Sequence, residues 1–140
     1  MILYGDTSAL AKLVIDEPGT AEMFSAVNNA ELLVSVAIAY VELRAAVAVA
    51  LRDGRLSSDR RNTAMLFWED LWQSMSEVPV DRPLLRHAGD LAESMRLRSY
   101  DAVHLAALLQ CGAPGEVAFA CWDTDLRRVA GELGYSLIPS

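Results

Sequence analysis

With 140 residues and 53% hydrophobic side chains, at a mean hydropathy of +0.22, the chain can close one apolar core and is too apolar to be disordered. A net charge of −7 argues against general binding to DNA or membranes, which rests on Lys and Arg, although eleven of the twelve cations are Arg and Lys12 is the only Lys. The longest apolar stretch, residues 32–41, falls short of the ~20 residues that span a bilayer, and no cationic leader precedes Asp6, so a single cytoplasmic domain over residues 1–140 is expected.

The chain opens on an apolar run, Ile2-Leu3-Tyr4, that suits a buried strand; Gly5 lets it bend and Asp6 follows at its end. The periodicity then predicts helices over 7–15, capped by Thr7 or Ser8, and over 20–28, with Asp16-Glu17-Pro18-Gly19 between them. A second strand over 31–35 leads to a helix over 36–52, apolar nearly all round and therefore expected to be well buried. Ser57-Ser58-Asp59 offers caps for a helix reaching about residue 77, whose stripe Met65, Trp68, Leu71, Trp72 and Met75 reads as core and subunit interface together. A short strand over 78–80, a helix over 83–97 and an apolar helix from Ser99-Tyr100-Asp101 to Gln110 come next. Residues 117–121 form a fourth strand, 124–133 a helix ended by Gly134, and 135–138 a last strand. Strands alternating with helices imply an α/β domain of three layers, a central parallel sheet flanked by helices. Cys111 and Cys121, ten positions apart, fit neither a CxxC pair nor a zinc spacing and read as buried free thiols.

Four acids occupy special positions. Asp6 follows the first strand, Asp101 opens a helix, Asp123 follows the fourth strand, and Glu42 lies inside an apolar helix between Ile38, Val41, Ala45 and Ala46. Helix starts stabilise a carboxylate by only about 0.3–1 kcal/mol, too little to gather several like charges in a dry crevice, whereas a divalent cation would. Each Asp alone reads equally well as a helix cap, and a helical Glu commonly reaches solvent; the four together favour a metal site. His104, one turn after Asp101, reads as a hydrogen-bonded core histidine rather than a ligand, and His87 as exposed. No serine lies in a nucleophile elbow and no glycine-rich loop resembles a phosphate-binding loop.

The segments DTSAL (6–10), VSVAIAYVEL (34–43), RSYDAVHLAALL (98–109) and CWDTDL (121–126) resemble the PIN-domain ribonucleases, and among them the VapC-type toxins of type II toxin-antitoxin pairs. The resemblance covers the whole chain, with YDAVHLA its most specific piece. It implies that Asp6, Glu42, Asp101 and Asp123 are the acidic quartet around Mg²⁺ or Mn²⁺, with Asp6, Asp101 and Asp123 as ligands and Ser8 as an accessory hydroxyl. The family pattern places Thr or Ser two residues before the fourth acid, where this chain has Cys121, and Asp125 could share the fourth role. The implied activity is endonucleolytic hydrolysis of RNA, a structured loop of tRNA or rRNA being a suitable target, leaving a 5′-phosphate and a 3′-hydroxyl. The implied partners are a VapB-like antitoxin that covers the site and a second copy of the chain in a homodimer. Arg96 and Arg98 are the candidate phosphate contacts, equally readable as surface charge at a helix end.

Two other enzyme classes with an acid after the first strand fit poorly. Haloacid-dehalogenase-like phosphatases need a second Asp where Ser8 stands, and a receiver domain needs a late Lys, which this chain lacks. A PIN-like module that binds RNA or protein without cleaving stands as the non-enzymatic alternative, favoured only by Cys121.

Overall fold

A computed structural model describes residues 1–140. Along the chain run β1 (Ile2–Gly5), α1 (Thr7–Val14), α2 (Thr20–Asn29), β2 (Leu32–Val36), α3 (Ala39–Arg52) and α4 (Ser58–Ser74). There follow β3 (Ser76–Val78), α5 (Arg82–Met95), α6 (Ser99–Cys111), β4 (Val117–Ala120), α7 (Thr124–Glu132) and β5 (Ser136–Ile138). All five strands pair in parallel in the order β3-β2-β1-β4-β5.

The alternation of side chains along the central strand builds the layers. Leu3 joins a core with Leu10, Leu13, Met23, Leu43 and Trp68, from α1 to α4. Its neighbour Tyr4 points to the other face, among Val34, Phe119 and residues of α5, α6 and α7. The sheet is thus covered on both sides, as the strand and helix alternation implied. Its order has a functional consequence. The chain winds one way from β1 to β3 and returns to the far side of β1 as β4, so β1 and β4 flank the point where connections diverge. Ligand crevices of open parallel sheets lie there, beyond the carboxyl ends of the strands.

The sequence reading is corrected at several places, among them α4, expected to reach about residue 77, which ends at Ser74 because the sheet claims Ser76 to Val78. The second strand runs on through Val36, and the Ala37 amide still donates to Val78 O at 2.9 Å, so α3 begins only at Ala39. β3 ends where 78–80 was expected to form a strand: Pro79 has no amide to continue the ladder, and pairing uses Ser76 to Val78 instead. Nor is α3 buried all round. It buries the seam Ala39, Leu43, Val47 and Ala50, while Val41 is 59% exposed; the helix buried on nearly every side is α6, from Ala102 to Leu108. Along α4, Trp68 is fully buried, and Met65, Leu71, Trp72 and Met75 pack partly buried around the same core. Cys111 and Cys121 are free thiols, and of the two Cys121 is buried. No helix is long and apolar enough to cross a membrane.

Candidate active site

Asp6 follows β1 and caps α1. Its Oδ1 accepts from the Ala9 amide at 3.0 Å and the Ser8 hydroxyl at 2.6 Å, and its Oδ2 from the Cys121 thiol at 3.1 Å. Ser8 Oγ in turn accepts from the Trp122 amide at 2.8 Å. One carboxylate and one hydroxyl thereby bracket the ends of β1 and β4. Asp6 is only 4% exposed, and burial raises its pKa, opposed by the nearby His104 ring and by its donors. Burial likewise pushes the Cys121 thiol up, with Asp6 adding to it, so the sulfur stays protonated and keeps donating. Where the family pattern has a hydroxyl, this chain has a thiol, and that thiol donates to Asp6.

The other pair of acids sits at two helix starts. Asp123 caps α7 through Oδ1, which accepts from Leu126 N at 3.1 Å, and its Oδ2 accepts from Arg98 Nη2 at 3.1 Å. Asp101, in the first turn of α6, accepts from Arg98 Nε at 3.3 Å. Arg98 is 76% exposed as a side chain and spans both carboxylates. Burial first, then the Asp123 charge, raises the Asp101 pKa, and Arg98 pulls it back. Glu42 stands in the first turn of α3, with Oε1 accepting from Thr7 Oγ1 at 2.9 Å and lying 2.7 Å from His104 Nε2.

Not every residue named from the sequence joins this set. Asp125 is exposed in the first turn of α7, where its charge reaches Arg98 without a direct bond. Arg96 sits in a left-handed conformation at the end of α5, at φ 56°, exposed and paired with none of the acids. Thr7 and Ser8, expected as caps of α1, lie inside the helix because Asp6 is its cap, and neither Thr7 nor Tyr4 was expected at the site, yet Thr7 donates to Glu42 and Tyr4 OH meets His104 Nδ1 at 2.9 Å. The available signal was the spacing from Asp101 to His104, which puts both on one helix face. The largest apolar groove, between α2 and β5 around Ala26 and Leu137, contains none of these acids.

In this arrangement no three acidic, His or Cys side chains are close enough to enclose an ion. The donors nevertheless suit a hard divalent cation, being carboxylate and hydroxyl oxygens. Two of the acids, Asp6 and Asp101, are held above their ordinary pKa values by burial, an unfavourable charge that a cation would relieve.

A family model described as PIN domain matches residues 3–132. The chain belongs to the PIN-domain family. Ribonuclease VapC45 of Mycobacterium tuberculosis (strain CDC 1551 / Oshkosh) is 36% identical over 139 residues, 99% of this chain and 96% of that protein. Such a full-length match places this PIN-domain chain among the VapC ribonucleases. Solved structures share the fold at lower identity. Mycobacterium tuberculosis VapC20, described as a sarcin-ricin loop cleaving toxin, superposes with a TM-score of 0.67 at 16% identity, over 92% of this chain and 95% of its own. VapBC-5 of the same organism, a member of the VapBC family of toxin-antitoxin systems, gives 0.59 at 21% identity, over 98% and 97%.

Proposed function

We propose that this VapC-type PIN-domain protein, acting as a single domain, is an endoribonuclease that hydrolyses RNA phosphodiesters at the crevice beyond β1 and β4. The observation that carries the reading is the linkage of four acids drawn from four distant stretches. Arg98 joins Asp101 to Asp123, Cys121 joins the strand before Asp123 to Asp6, and His104 joins Glu42 to α6. Asp6, Asp101 and Asp123 would hold Mg²⁺ or Mn²⁺, with Ser8 fixing Asp6. When bound, such an ion supplies an acidified water and offsets charge on the phosphorane-like transition state.

The chain's own residues supply the rest. Asp6, locked by three donors, gives the site one carboxylate of fixed direction. Glu42 commits Oε1 to Thr7 and His104, and its Oε2, free of protein partners, takes the proton of the attacking water. Arg98, exposed at the rim, exchanges an acid for a substrate phosphate, a contact guanidinium groups make bidentately. Arg96 lies two residues before Arg98, at the end of α5, where it can meet the flanking backbone, and Asp125 sets the local charge at the rim. The products are a 5′-phosphate and a 3′-hydroxyl, and a structured loop of tRNA or rRNA suits a confined site on a chain of net charge −7. A VapB-like antitoxin is the neutralising partner in this reading, supported by the toxin-antitoxin setting of the relatives, and a homodimer is the assembled form that the family resemblance implies.

The test is RNA cleavage with Mn²⁺ by the wild type, Asp6→Asn and Asp101→Asn. Each substitution is expected to lower the rate on the order of a hundredfold or more. Equal cleavage by all three would overturn the reading, and binding of RNA without cleavage by the wild type would favour a non-cleaving module.

A further inference from the structure

The polar groups behind Glu42 are more tightly constrained than those at the rim. Tyr4 is fully buried and His104 is 2% exposed, both in the core between the sheet and α5, α6 and α7. A purely structural need there would be met by apolar side chains of similar shape, because buried polar groups stabilise little beyond what packing gives. Glu42 does not need them either. Its side chain is 21% exposed and could satisfy itself in water. A buried histidine and phenol aligned on a carboxylate that has access to solvent therefore point to a function.

One assignment of the protons satisfies every group in this chain of contacts. An ionised Glu42 carboxylate can only accept, so His104 Nε2, 2.7 Å from Oε1, carries a hydrogen. In the neutral ring Nδ1 is then an acceptor, and the Tyr4 hydroxyl at 2.9 Å donates to it. Thr7 Oγ1 donates to the same Oε1 at 2.9 Å, filling its second lone pair. All four groups are satisfied by one tautomer. The anchors also sit on central elements, since β1 is paired on both sides by β2 and β4 and α6 is buried along most of its length. Glu42, by contrast, projects from α3, whose outer face is exposed, on a side chain with three free torsions.

We propose that His104 and Tyr4 are positioning residues for RNA hydrolysis: they hold Glu42 Oε1 so that Oε2 is presented to the attacking water. The inference rests on the ribonuclease reading above and on Glu42 as the acceptor of that water's proton. His104 touches neither substrate nor the reacting atoms; it acts through Glu42. Loss of the hold leaves Glu42 in place but free to rotate, and misplacement of a reacting group by about 1 Å costs on the order of a hundredfold in rate.

The experiment uses the full chain and a fluorescent RNA stem-loop carrying the site mapped from a total-RNA digest. Cleavage at saturating Mn²⁺ is measured for the wild type, His104→Leu, His104→Gln, Tyr4→Phe and Glu42→Gln, and Mn²⁺ affinity is measured by electron paramagnetic resonance without RNA. His104→Leu is expected to lower kcat on the order of a hundredfold with KM and Mn²⁺ affinity unchanged. His104→Gln, whose amide N–H can reach Oε1, recovers most of that loss, and Tyr4→Phe falls between. In the Glu42→Gln background, His104→Leu adds no further loss, as expected of two residues acting as one unit. The proposal is overturned if His104→Gln is as slow as His104→Leu, if the loss appears in KM or Mn²⁺ affinity, or if the two substitutions multiply. Should His104→Leu fail to fold, Tyr4→Phe, which deletes one oxygen, decides alone, and an unchanged kcat overturns the proposal. A wild type that binds Mn²⁺ but cuts no RNA, or Glu42→Gln with wild-type kcat, instead removes the reading beneath it.

Discussion

Replacing Ser8 by Ala deletes the hydroxyl that brackets the ends of β1 and β4. The loss has two parts. Ser8 Oγ donates to Asp6 Oδ1 at 2.6 Å, and a hydrogen bond to a charged group contributes about 1.5–3 kcal/mol. It also accepts from the Trp122 amide at 2.8 Å, and since Trp122 is only half-buried, water recovers part of that contact, leaving about 1 kcal/mol. Together the cost is about 3 kcal/mol. With ~2.1 cal/mol/K of unfolding entropy per residue, a chain of 140 residues loses about 10 °C in Tm. The assay is thermal unfolding by circular dichroism at pH 7 with chelator present, so that only contacts within the chain count. A drop of under about 3 °C would refute the reasoning, because neither the short contact to Asp6 nor the amide contact would then be contributing.

Stability should also depend on pH in a direction set by the two raised acids. Asp6 and Asp101 bind protons more tightly folded than unfolded, so their contribution is fully present below the unfolded value of 3.8 and is lost as pH rises through their folded values. From about pH 4 upward the metal-free protein is therefore expected to lose this contribution, and Asp6→Asn to lose less stability than the wild type between about pH 4 and pH 7; an equal loss in the two would count against a buried charge at Asp6. Mn²⁺ at a hundredfold over its Kd should add about 2.7 kcal/mol, or roughly 9 °C in Tm, and Asp101→Asn should abolish most of the shift; an equal shift in that variant would remove Asp101 from the ligand set. Cys121→Ser keeps a donor to Asp6 and should retain cleavage near the wild-type rate, whereas Cys121→Ala should lose about tenfold or more; equal rates for the two would show that the Cys121 contact to Asp6 is dispensable.

The sheet was legible because β1 and β4 are short apolar runs closed by turn residues, and the helices because their caps and periodicities are local. Boundaries failed where a tertiary partner decided them. Val36 reads as the start of an apolar helix, yet the neighbouring strand claims it through the Ala37 to Val78 hydrogen bond. α3 looked buried all round because Val41 and Ala45 are apolar; which side of a helix faces the sheet is a property of the assembled layers, and α6 took the central place.

The same distinction separates the acids from what holds them. Asp6, Asp101 and Asp123 could be singled out because strand ends and helix starts are marked in the sequence, and Glu42 because a lone acid in an apolar run is conspicuous. Their partners carry no such mark. Cys121 lies 115 positions from Asp6 and His104 lies 62 from Glu42, so only the register of β1 against β4, and the packing of α6 beneath the sheet, could bring them into contact. A chain can advertise its charged groups locally, but the groups that fix their direction are chosen by the fold. For this protein the consequence is specific. Cys121 looked like a departure from the pattern that weakened the site, and in three dimensions it donates to the most deeply buried acid, alongside Ser8, from the short segment between β4 and α7 that also carries Asp123.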